Sequence, residues 1–139
     1  MHSRRVIPFV VAALLAALPA GAQTAAPSPV PRQHVPLEER HQSGTHGSVD
    51  LAPKGGKTEV LVKVSAPRTT PANLTLHSGS DCLDTFGSPA TQFHLNPLNG
   101  TSSRTLVSLP IGAFHSKHFV VDVRNATNRA RFAEACARI

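Results

Sequence analysis

The chain contains no tryptophan and no tyrosine, one methionine, and only two cysteines in 139 residues. Each scarcity removes a class of function. Few aromatics and scattered basic residues weigh against nucleic-acid binding, which needs clustered Lys and Arg with stacking or groove-reading elements. No Cys-x-x-Cys pair is present, so a thioredoxin-like redox role is not indicated. No serine sits in a Gly-x-Ser-x-Gly elbow, and no glycine-rich loop leads into a helix that would hold phosphate. One domain takes roughly 100 to 150 residues, so the length leaves room for one and excludes a two-domain enzyme. Only one long apolar run exists, at the N-terminus, which rules out a helical membrane channel.

That run, Val6 to Leu18, follows Arg4 and Arg5 and precedes Pro19-Ala20-Gly21-Ala22. A basic start, a short apolar stretch and small residues before a cut after Ala22 form the pattern of an export signal; a spanning helix needs about 20 apolar residues. Residues 1–22 are therefore expected to be a signal peptide, and the mature protein to be periplasmic or extracellular with no membrane span. Pro8 disfavours the twin-arginine variant, and no cysteine near the cut would take a lipid anchor. The formal charge of +6 falls to +4 without Arg4 and Arg5. A solvated basic face accounts for the densest stretch, Lys117 to Arg131.

From residue 23 to residue 43, Pro27, Pro29, Pro31 and Pro36 are set among polar residues, and the segment reads as a disordered tether. Strand-like alternation begins beyond it. Val49 and Leu51 alternate with His46, Ser48 and Asp50; after a Gly55-Gly56 turn, Val60, Val62, Val64 and Ala66 alternate with polar residues. Asn73 to His77, Gln92 to Asn96, Arg104 to Ile111 and Phe119 to Arg124 repeat the pattern, separated by Pro67, Pro71, Ser78-Gly79, Pro97, Asn99-Gly100, Pro110 and Gly112. Only Asn128 to Ala137 has a helical flavour. Short strands at this spacing predict an antiparallel all-β domain, a sandwich or barrel, over residues 44–139.

Cys82 and Cys136 form an even count in an exported chain, which favours a bridge over two free thiols. Closing a loop of about 55 residues stabilises a fold by roughly 4 kcal/mol in the chain-entropy model.

The order of features then becomes familiar. An alternating hairpin is followed by Pro71-Ala72-Asn73-Leu74-Thr75-Leu76-His77-Ser78-Gly79-Ser80-Asp81-Cys82, then Leu95-Asn96-Pro97-Leu98-Asn99-Gly100, then Val120-Val121-Asp122-Val123-Arg124-Asn125, then Ala135-Cys136-Ala137-Arg138-Ile139. Over about residues 43 to 139 this resembles small secreted bacterial domains related to copper/zinc superoxide dismutase and the chordin-like (CHRD) domains. The resemblance implies a Greek-key β-sandwich with one intradomain disulfide, Cys82 to Cys136. It also implies a copper site on a His-x-His strand and a histidine of a late strand, positions that map here to Thr75, His77 and Arg124. Threonine is a weak ligand and a protonated guanidinium is none, so His77 alone remains of that set. The loop from Cys82 to Gln92, with Asp81 and Asp84 nearby, contains no histidine and lacks a zinc-binding subloop.

Seven of the eight histidines lie beyond residue 22. His34, His41 and His46 fall in or near the tether, at spacings that match no compact metal motif. His115 and His118 form the one tight pair, around Lys117, and His94 approaches His77 if their strands are neighbours. Two readings follow. The first is a noncatalytic exported β-sandwich with a binding or structural role, its partner a protein or another envelope component, and no cofactor. The second is a copper- or zinc-binding protein, or a residual dismutase-like metalloprotein, using His77 with His94, His115 or His118. Asn73, Asn99 and Asn125 each begin an Asn-x-Thr triplet, taken as chance turn and strand sequence.

Overall fold

The computed structural model describes residues 32–82, 92–127 and 132–139. The expected signal segment lies outside them. Among the described residues no helix is long and apolar enough to cross a membrane.

Seven strands and one short helix make up the described chain: β1 (Gln33–Glu39), β2 (Gly47–Lys54), β3 (Lys57–Ser78), β4 (Gln92–His94), β5 (Leu98–Val107), α1 (Ile111–Ser116), β6 (Phe119–Asn125) and β7 (Ala135–Arg138). All pairings are antiparallel. The first half of β3 pairs with β2, β2 with β1, β1 with β7, β7 with β6, and β6 with the second half of β3, so five strands close into a barrel. β5 and β4 line the other edge of β3, β5 along the stretch that β2 also pairs and β4 along the stretch that β6 also pairs, and both pair with β3 alone.

Period-two alternation supplies the barrel's interior. Val49 and Leu51 of β2, Val60, Val62, Leu74 and Leu76 of β3, and Val121 and Val123 of β6 are buried together with Leu37 and Leu98. Each such side chain contributes about 1.5 to 3 kcal/mol of transfer free energy. The one fully buried hydroxyl in this set, on Thr58, is satisfied: its Oγ1 donates to the Leu109 carbonyl at 2.8 Å.

Local chemistry sets the turns and the register. Gly55 and Gly56 both have positive φ, 56° and 76°, as a tight β2–β3 hairpin requires. At Gly47 a Cβ would collide with the Lys63 carbonyl, so only glycine lets β2 start this close to β3.

Four features differ from the sequence expectations. Residues 33–39 of the expected tether are strand β1, with Val35 and Leu37 turned inward and His34, Pro36 and Glu38 outward. The segments around Glu59 to Ala66 and Asn73 to His77 belong to one strand. Register shifts between Lys63 and Arg68 and between Arg68 and Ala72 absorb Pro67 and Pro71, which have no N–H to give to a ladder. The segment from Arg104 to Ile111 leaves the sheet at Val107, and Ile111 opens α1, burying Ile111 and Phe114. Of the stretch with helical flavour, 128–131 lies outside the described residues, while Ala135–Arg138 is a strand between β1 and β6.

Candidate functional site

The second half of β3 turns Leu74 and Leu76 inward and Asn73, Thr75 and His77 outward; β6 turns Val121 and Val123 inward and Val120, Asp122 and Arg124 outward. Cross-strand partners share a face, and the register aligns Asn73 with Arg124, Thr75 with Asp122, and His77 with Val120. On the other side of β6, Asp122 stands opposite Cys136. The outer face therefore carries a second, small buried cluster of Cys82, Val120 and Cys136.

The two cysteines are joined, with Cα atoms 6.0 Å apart. The bridge fastens the segment that follows β3 to β7, and Arg40 Nη2 donates to the Cys82 carbonyl at 3.3 Å. Opposite Cys136 on this face an outward-facing carboxylate is almost completely enclosed, the Asp122 side chain being 3 % exposed. Asp122 Oδ2 accepts from His77 Nε2 at 3.0 Å and from Arg124 Nη2 at 3.1 Å. Its Oδ1 is buried with no hydrogen-bond partner among the described residues. A carboxylate removed from water is tolerable only when paired, and here one oxygen takes both partners. His77 Nδ1 faces the Ser78 carbonyl at 3.4 Å. Both ring nitrogens of His77 thus face protein oxygens, and neither is aimed at open space.

The remaining histidines are dispersed. His94 lies on β4 opposite Thr75, one diagonal step from His77 on the same face, so the strands of His77 and His94 are neighbours. His94 is exposed. His115 lies in the last turn of α1 and His118 precedes β6; both are exposed, and the His118 carbonyl accepts from Gly79 N at 3.0 Å. His34 bonds Asp50, His41 stacks with Phe132 at 5.1 Å between ring centroids, and His46 Nδ1 lies 3.3 Å from the Gly44 carbonyl. Among the described residues no three His, Cys, Asp or Glu side chains converge as a metal-binding group. Asp84, like all of residues 83–91, lies outside the described residues.

Sequence reasoning picked His77 and Arg124 but passed over Asp122, the residue that joins them. The signal was an acid inside Val120-Val121-Asp122-Val123, an apolar run where an unpaired charge would be costly.

No protein-family model matches this chain, and searches of curated proteins and of solved structures give no match either.

Proposed function

We propose that the chain is an exported, noncatalytic β-domain with a binding or structural role in the cell envelope. The observation that carries this reading is the His77–Asp122–Arg124 network. At the strand positions where the resemblance places copper-ligating histidines stand Thr75, His77 and Arg124, and the surviving imidazole is engaged by a carboxylate that a guanidinium also holds. Such a network positions and rigidifies; it does not offer open coordination sites. A disulfide between two buried cysteines is in keeping with an oxidising compartment. The same reading places the domain among superoxide-dismutase-like Greek-key sandwiches, supported by the order of sequence features and by the pairing of Cys82 with Cys136.

A metal-handling role is the second reading. It is favoured by one observation, the placement of His77 and His94 on one face of adjacent strands. Metal analysis of the oxidised protein after loading with Cu(II) and Zn(II) and gel filtration separates the two. The first reading expects no stoichiometric metal. One tightly held copper per chain, lost in His77→Ala, would overturn it.

A further inference from the structure

β3 changes partners midway. Its ladder with β2 ends at Val64 opposite Gly47, and its ladder with β6 begins at Ala72 opposite Asn125. Between them β3 runs through its two register shifts, and the Gly44 to His46 segment forms the facing wall of a cleft of about 210 Å³. Arg68, Thr69 and Thr70 line one side, Thr45 and His46 the other.

Arg68 is the unusual member, a guanidinium whose side chain is only 11 % exposed. Its Nε donates to the Thr70 carbonyl at 3.2 Å and its Nη1 to Thr45 Oγ1 at 3.1 Å. Glu134 Oε2 lies 2.7 Å from Nη1 as an ion pair, off the line of the N–H bond. The planar group is thus fixed through Nε and Nη1, and none of the hydrogen bonds among the described residues uses Nη2. Thr45 is buried, 8 % exposed, and because its Oγ1 accepts from Arg68, its own hydroxyl proton is left to donate.

We propose that this cleft binds a small carboxylate, received by the Arg68 Nη2 N–H groups and the Thr45 hydroxyl. An arginine held in place by its neighbours loses little further freedom on binding, and its fork matches a carboxylate better than a point charge does. Glu134 offsets much of the Arg68 charge, so recognition rests on directed hydrogen bonds rather than on net potential, and chloride is a poor substitute. The volume lies below the roughly 300 to 1,000 Å³ of sites for drug-sized ligands, which limits the ligand to a few heavy atoms or to the end of a longer chain. The carboxylate comes either from a free short acid or from the C-terminus of a peptide. The site is separate from the His77 network and stands or falls independently of the function proposed above.

The test is an NMR titration of the 15N-labelled, oxidised protein, following the Arg68 side-chain Nε–H and the Thr45 and Thr70 amides at fixed ionic strength. Sodium acetate and N-acetylglycylglycine are the two probes, with acetamide and sodium chloride as controls. Saturable shifts with a Kd on the order of 1 mM are expected for the carboxylates alone. Arg68→Lys should weaken binding about tenfold and Thr45→Val about threefold. The valine variant leaves the Arg68–Glu134 pair in place and serves if the lysine variant does not fold. Tighter binding of the peptide than of acetate identifies a peptide terminus as the source; equal binding identifies the free acid. Shifts that fail to saturate, that acetamide or chloride reproduce, or that persist undiminished in a folded Thr45→Val protein overturn the proposal.

Discussion

The inside of the barrel and the patch beneath the disulfide are both buried, yet different forces hold them. The interior is a continuous set of apolar side chains from six strands and α1, and the fully buried Thr58 hydroxyl among them is satisfied. The outer patch has three apolar members and a charged network, and it lies on a sheet face that would otherwise meet water. Packing suffices where many chains converge; where few do, a covalent link and ion pairs supply the enclosure. The contrast points to a second role for the Cys82–Cys136 bridge beyond shortening the unfolded chain, because Cys136 is the cross-strand neighbour of the buried Asp122.

The contrast can be broken in graded steps. The largest effect is expected from Cys82→Ser with Cys136→Ser, about 4 kcal/mol of unfolding free energy from lost loop closure, read as a lowered urea midpoint. If stability is unchanged, the bridge is incidental. Leu76→Ala, which cuts into the interior, should cost about 3 kcal/mol. That cost should be the same with and without a dithiol reductant, because Leu76 faces away from the bridge. Asp122→Asn should cost about 2 kcal/mol in the oxidised protein by leaving His77 and Arg124 poorly paired. The same substitution should cost clearly less after reduction, when water reaches the patch. Equal costs in the two states would show that the disulfide does not enclose the network.

The smallest effect belongs to the exposed sheet surface, where Asp50 bonds His34 and lies 3.1 Å from Lys63 Nζ. The His34 hydrogen bond, with help from Lys63, holds the Asp50 carboxyl below its ordinary range despite some burial. A lowered folded value means the contribution is present above the ordinary carboxylate range and is lost as pH falls through the lowered value. Asp50→Asn should therefore cost less than about 1 kcal/mol near neutral pH and nothing at the acid end, checked by urea midpoints at each pH. A cost that grows on acidification would contradict the assignment.

Much of the interior was legible because alternation is a local signal. Val49, Leu51, Leu74, Leu76, Phe119, Val121 and Val123 all point where their period placed them. The patch was less legible, since its members come from β3, β6 and β7 and meet only through register. β1 was hidden by Pro36 and by having just two inward apolar residues; its pairing with β2 and β7 supplies what its composition lacks. The continuity of β3 was hidden by Pro67 and Pro71, which punctuate a sequence but only bulge a strand. The C-terminal strand is built of Ala-Cys-Ala-Arg, residues with little strand preference of their own, and is held by neighbours on both sides.

The central strand also has a consequence for the order of assembly. β3 pairs with four other strands, and its hairpin with β2 joins Lys54 to Lys57 across two glycines, a closure that costs little chain entropy. The seam between β1 and β7 is the opposite, two residue pairs that bring Glu38 and Glu39 to Cys136 and Ala135 from the far end of the sequence. A chain that gains its contacts from near to far closes there last. Cys136 sits at that seam, yet its bridge to Cys82 spans 54 residues, fewer than separate Glu38 from Cys136, so on the same ordering the bridge can hold β7 in place before β1 closes the barrel.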